Sequence, residues 1–354
     1  MRSTSSTAAP VPALPDPTDV LKADTQLSAV RRLLMSPSFA LSVAILLFVL
    51  IGATQSPQFL SAGAWVNILR DATFIAIPAA FACIVLVNGG LDLSVGSVLV
   101  AGAMTSAAAS AAGMNFVVAF ALGTVVGAAI GLVNGLIINL WKIPPIIATL
   151  GSLFAVRAAV VASTGGNPIG ELGDDFTYWG QGSVGGFPVI ILVGVVIILV
   201  AHVTLNLTNY GWSIRAAGGN INAARNAGIS VRRISISVYV LGGASAALTG
   251  ALLASRLGAG SPTFGQGYEL QVIAAAVIGG TSIYGAIGTV PGAVLGAILL
   301  SVLTNGLVLL RVDPIWQNFV IGLVLVAAAG LDVLRRKQMF SMAARRSAAT
   351  KRTA

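Results

Sequence analysis

Charge is what this sequence has least of. Asp, Glu, Lys and Arg make up 9% of its 354 residues, where soluble domains carry roughly 25%. A chain so poor in charge and 56% hydrophobic cannot cover a water-facing surface, so its main solvent is lipid. One cysteine, Cys83, lies in an apolar run and excludes an internal disulfide. One histidine, His202, excludes a multi-histidine metal site. The P-loop lysine motif and the nucleophile elbow are both missing. The chain is therefore read as non-enzymatic, with no cofactor of its own; any ATP is used by another chain.

What is present is a series of apolar runs of about 20 residues, the length that crosses a bilayer as a helix. They predict an all-α integral membrane protein of about ten transmembrane helices, both termini cytoplasmic, some helices broken or kinked. The predicted spans are 39–55, 65–87, 91–112, 115–140, 145–163, 187–207, 234–255, 269–280, 289–310 and 315–334. Pro78 lies inside the second and predicts a kink. Residues 1–36 read as a flexible cytoplasmic tail without the apolar region of a cleavable signal peptide. Residues 37–337 form the transmembrane domain, and 338–354 a basic cytoplasmic tail. This arrangement leaves only Arg70, Arg157, Arg256 and Arg311 of the 20 basic residues at outer span ends, the asymmetry that fixes orientation. It also assigns the net charge of +9 to tails and loops on an anionic leaflet and not to nucleic acid.

The polar, basic loop 208–233 carries a compact helix signal. Asn220 can cap, Ile221 to Ala227 are helix formers around Asn222, Ala223 and Ala224, and Gly228 suits the left-handed position beyond the end. A helix of about two turns is too short to stand alone in water, so it is expected to dock on a soluble partner. The plainer reading is a loop held on lipid by Arg215, Arg225, Arg232 and Arg233.

Three further features stand out. Gly89 and Gly90 end the second span and Leu91-Asp92-Leu93-Ser94-Val95-Gly96 begins the third almost without a loop. Asp92 is either a helix cap, a common role of Asp, or the tie at a joint that moves. Gly279 and Gly280 end the eighth span in the same way, and Glu269 opens it, as dipole partner or as ligand contact. The outer loop 164–186 holds Glu171, Asp174 and Asp175 beside Phe176, Tyr178 and Trp179, with no Lys or Arg. It is either an interfacial belt or a seat for a basic partner. Glycines at 123, 127, 131 and 135, and small residues at 242, 246, 250 and 254, form stripes whose plain role is close helix packing.

Three segments together resemble a known family. NGGLDLSVGS (88–97), GGNINAARNAGI (218–229) and YELQVIAAAVIGGTSIYGAIGTVPGAVLGA (268–297) are similar to the signatures of permease subunits of bacterial ABC importers. The branch is that of ribose-type sugar permeases, related to branched-chain amino-acid permeases, and the resemblance covers about 39–332. It implies a subunit that binds no ATP and pairs with a second permease subunit, most simply as a homodimer. Its other implied partners are a cytoplasmic ATP-binding subunit and a periplasmic or lipid-anchored binding protein that delivers a monosaccharide. The same machinery serves branched-chain amino acids, nucleosides or other small polar solutes, and an ion-coupled carrier is the reading from a different class. The resemblance assigns Gly218, Gly219, Asn220, Asn222, Ala223, Ala224 and Gly228 to the coupling segment. It assigns Gly89, Gly90, Asp92, Ser94 and Gly96 to one transport motif, and Glu269, Gly279, Gly280, Gly285 and Gly288 to a second. Two departures are visible. Asn222 stands where the family carries Glu, and Gly285-Ala286-Ile287-Gly288 where it tends to read Gly-Gly-Arg-Gly.

Overall fold

The computed structural model describes residues 37–55 and 57–313, with isolated positions at 316, 319, 322, 323, 326 and 330. The predicted tails and, apart from those isolated positions, the tenth span lie outside the described residues. The chain is a helical layer. It runs α1 (Pro37–Gln55), a 3-10 turn (Pro57–Leu60), α2 (Ala62–Val87), α3 (Val95–Ala111), α4 (Phe116–Leu140) and α5 (Pro145–Thr164). A short helix α6 (Asp174–Gln181) and a hairpin of β1 (Ser183–Val184) and β2 (Phe187–Pro188) follow. Then come α7 (Val189–Asn206), α8 (Asn209–Gly219), α9 (Ile221–Asn226), α10 (Val231–Leu257), α11 (Tyr268–Ile278) and α12 (Val290–Leu309). The hairpin turns on Gly185 and Gly186, both at positive φ, as a tight two-residue turn requires.

Six helices among the described residues, α2, α4, α5, α7, α10 and α12, are long and apolar enough to cross a membrane. That is fewer than the ten expected. The run expected as an eighth span holds only the 11-residue α11, about 17 Å of helix at 1.5 Å per residue, too short for a bilayer core of about 30 Å. Helix α3 has 17 residues and the apolar part of α1 is Leu41–Thr54, both also short. Pro78 stays inside one continuous α2.

Helix α10 is the hub, and glycine makes it so. A Cβ on Gly127 of α4 would stand 2.3 Å from the Gly243 carbonyl oxygen of α10, and one on Gly131 2.2 Å from that of Tyr239. On the other side of α10, a Cβ on Gly250 would stand 1.9 Å from the Leu99 carbonyl oxygen of α3. The predicted stripes are thus backbone-to-backbone crossings, the packing that small residues permit in lipid.

Helix α11 starts inside this layer. After α10 the chain turns at Gly258 (φ 68) and runs non-helically along α3. Gly260 lies against Met104 and Ala107, and Gly265 against the backbone of Gly96, positions about 14 Å apart on α3. Only then does α11 begin, and its Tyr268 hydroxyl donates to the carbonyl of Phe74, about 20 Å along α2 from Val87. Arg157 of α5 holds the uncoiled stretch, donating to the carbonyl oxygens of Phe264 (3.2 Å) and Gly265 (3.1 Å). Backbone without helix or sheet partners needs such a donor inside an apolar layer. Arg157, expected at a span end, instead works within the layer.

Candidate functional site

The loop predicted as one helix holds two. Thr208 caps α8, its hydroxyl accepting from the Gly211 amide at 3.1 Å. Asn220 ends α8 and begins α9: its φ of −155° breaks the helix, and its Oδ1 accepts from the amides of Asn222 and Ala223, each at 3.0 Å. The far end of α9 closes with Gly228 at φ 80, its amide on the Arg225 carbonyl (2.9 Å) and the Ile229 amide on that of Ala224 (3.0 Å). Those paired bonds around a left-handed glycine are a Schellman end. Only four residues separate the end of α9 from the start of α10, so α9 has no slack on that side. Ala224 is buried under α9, while Ile221, Asn222, Ala223, Arg225 and Asn226 are exposed.

Gly218 and Gly219 belong to α8, and Gly218 is seated on the end of α2. A Cβ there would stand 1.9 Å from the Val87 carbonyl oxygen. Gly285, at φ 95, presses on both Gly218 and Gly89. Ala286 holds the left-handed φ of 64, and its amide donates to the Val87 oxygen at 2.8 Å. The family's glycine at this position would adopt that conformation without strain. Arg215 is not a lipid-facing residue. It donates to the Gly288 carbonyl at 3.0 Å and to Asn206 Oδ1 at 2.7 Å, tying α7, α8 and the 285–288 turn together.

The two glycine pairs make the same turn. Gly89 (φ 82) and Gly280 (φ 88) each end a helix with one amide three residues back and the next amide five back. Beyond Gly90 the chain re-enters the layer as the stretch 91–94. Asp92 is buried there, its Oδ1 accepting from the Ser94 amide (2.8 Å) and hydroxyl (2.6 Å). Asp92 therefore closes a turn before α3 and is not its N-cap; Ser94 occupies that position without a side-chain capping bond. The Ser94 hydroxyl in turn accepts from Asn134 at 3.0 Å, and the Leu93 amide donates to Thr149 at 3.1 Å. Gly96 and Glu269, far apart in sequence, meet: a Cβ on Gly96 would stand 2.4 Å from Glu269 Oε2. Gly279 packs on Gly292, and Gly288 lies among Val87, Thr281 and Cys83. The two motifs and the 218–228 segment thus form one connected body.

The loop 164–186 is an ordered cap. Asp175 accepts from the Phe116 amide at 2.8 Å, and Phe176 is fully buried, stacked on Phe120 at 4.7 Å. Glu171 and Asp174 are exposed. Sequence reasoning passed over Asp71, which accepts from Arg256 at 3.1 Å and from Asn305 at 3.2 Å. Its signal was legible: an acid inside an apolar run.

A family description reading "Branched-chain amino acid transport system / permease component" matches residues 64–329. The ribose import permease protein of Bacillus subtilis is 39% identical over 290 residues, 81% of this chain and 90% of that one. The ribose import permease protein of Escherichia coli is 37% identical over 82% of this chain and 92% of its own. The L-arabinose transport system permease protein of Escherichia coli is 38% identical over 71% of this chain and 77% of its own. No solved structure matches the chain.

Proposed function

The chain belongs to the family of branched-chain amino acid transport system permease components, and on that premise we propose that it imports a ribose-type monosaccharide by alternating access. It is a non-catalytic, multi-pass inner-membrane permease subunit of an ABC importer, and its kind works with an ATP-binding subunit and a substrate-binding protein. We assign the end carrying α9, Arg225, Arg232 and Arg233 to the cytoplasm, the exposed face of α9 to the ATP-binding subunit, and the loop around Glu171 and Asp174 to the binding protein. A second copy of the chain completes the pathway. The observation that carries this reading is the seat of α9. It is capped at both ends, joined to α10 without slack, and leads through α8 to the Gly89 and Gly285 turns. The sugar assignment rests on the relatives named for ribose and arabinose.

Reconstitution with the ATP-binding and binding-protein subunits in proteoliposomes tests the proposal. Labelled ribose, added outside with the binding protein, should accumulate only when ATP is enclosed in the lumen on the side of the ATP-binding subunit. Accumulation driven by a proton or sodium gradient without the ATPase would overturn the mechanism; accumulation of leucine and not ribose would overturn the cargo.

Asp92 offers a separate check on the joint. Asp92→Ala strands two buried donors of Ser94, which costs about 1–3 kcal/mol, so membrane abundance should fall. Asp92→Asn keeps an acceptor oxygen and should insert at near-normal abundance. If the turn moves during transport, that variant should lose most uptake. Normal uptake by Asp92→Asn would remove Asp92 from the transport machinery.

A further inference from the structure

We propose that Asp71, Arg256 and Asn305 form a solute station on the pathway, one that takes a neutral polyhydroxylated molecule. The proposal rests on the importer reading above and supplies residues for it. Asp71 lies about 14 Å along α2 from Ala62 and about 24 Å from Val87, beside Arg256, the penultimate residue of α10, and Asn305, about one turn from the end of α12. Its Oδ1 pairs with Arg256 at 3.1 Å and its Oδ2 accepts from Asn305 of α12 at 3.2 Å. Yet the Asp71 side chain remains 44% exposed and that of Arg256 25%. A carboxylate open to that degree beside the ends of two spans is too costly to face lipid tails, so it faces water or a polar molecule at the mouth of the layer.

The surroundings are built for a polar occupant. The Arg256 guanidinium lies 5.5 Å over the Phe74 ring, and the carbonyl of Phe74 receives the Tyr268 hydroxyl. Tyr268 opens α11, the helix that starts inside the layer. Ser301 is one turn from Asn305 on α12. Its hydroxyl is buried, and it has no hydrogen-bond partner among the described residues. Three chain segments distant in sequence, α2, α10 and α12, therefore bring a carboxylate, a guanidinium and an amide to one partly exposed spot. The Asp71–Arg256 pair is closed on itself and neutral overall. A sugar can bond to the remaining lone pairs and N–H groups through its hydroxyls and leave the pair intact. A zwitterionic amino acid would have to break the pair to use both charges.

Two measurements on the reconstituted transporter test this. On a Cys83→Ala background, Asn305→Cys should react with an impermeant cationic methanethiosulfonate at least tenfold faster than Leu199→Cys, an exposed apolar position on α7. Reaction at the Leu199→Cys rate would mean that the spot is dry and would overturn the proposal. Asp71→Asn and Asn305→Leu should lower ribose uptake at least tenfold, with ATP hydrolysis stimulated by the binding protein retained within twofold. Unchanged uptake overturns the station; joint loss of uptake and hydrolysis does so too, because it assigns the cluster to folding or coupling. The labelling needs no sugar, so it stands apart from the importer reading. A wild-type complex that accumulates leucine and not ribose would refute the sugar cargo even with Asn305→Cys labelled.

Discussion

A Gly250→Leu permease should be nearly absent from the membrane. At this position the α10 backbone lies on α3, where a Cβ would stand 1.9 Å from the Leu99 carbonyl oxygen and 3.0 Å from the Ala103 nitrogen. Both obstacles are backbone atoms, so no rotamer change relieves them. One turn away the reverse contact occurs, with Gly102 of α3 against the backbone of Ala247. Adding bulk to a packed interior costs about 1–3 kcal/mol where side chains can adjust; here two helices must separate, and the cost is higher. Set against a total stability of about 5–15 kcal/mol, the loss should lower membrane abundance at least tenfold on an immunoblot. Gly250→Ala should show a smaller fall in the same direction. Gly151→Leu on α5, where nothing lies within 4 Å, should accumulate as the wild type does. Equal abundance of the Gly250→Leu and Gly151→Leu variants would refute the close crossing of α10 on α3.

How much of this was readable from the chain depends on where each partner sits. The stripe at 123, 127, 131 and 135 announced a close crossing because its period is local, although nothing in it named α10 as the main partner. The signals of α9 are also local: Asn220 and Gly228 bracket a short run, and the structure caps the helix with those two residues. Helix α8 was missed because NYGWSIRAAGG carries three glycines and reads as loop; packing on Val87 and the bonds of Arg215 hold it helical. The break before α11 was invisible for a different reason. The run 269–280 is apolar like any span, and the donor that stabilises the uncoiled stretch before it is Arg157, more than 100 positions away. The Asp71–Arg256 pair bridges 185 positions. Such pairings follow from helix packing, which a single sequence does not encode locally.

Changes on the exposed face of α9 should separate ATP hydrolysis from uptake. The side chains open to a partner are Ile221, Asn222, Ala223, Arg225 and Asn226. Ala223→Trp adds bulk on that face without touching the buried seat of Ala224. Gly228→Val acts at the other end, where a φ of 80 costs an L-residue roughly 1–2 kcal/mol and loosens the turn into α10. Both variants should insert normally, because neither touches the α3–α4–α10 crossings, and both should lose at least tenfold in uptake. A tenfold loss corresponds to about 1.4 kcal/mol of docking energy, the scale of a few contacts on so small a helix. Neutralising Arg225, Arg232 and Arg233 together should do less, since salt-screened surface charge contributes little per residue. A cysteine placed at Asn222 should crosslink to the ATP-binding subunit and resist an impermeant reagent applied outside. The order of effects separates a docked helix from a basic loop lying on anionic lipid, where charge would matter and bulk would not. Normal uptake and normal assembly by both Ala223→Trp and Gly228→Val would mean that α9 is not the contact through which the ATPase moves this subunit.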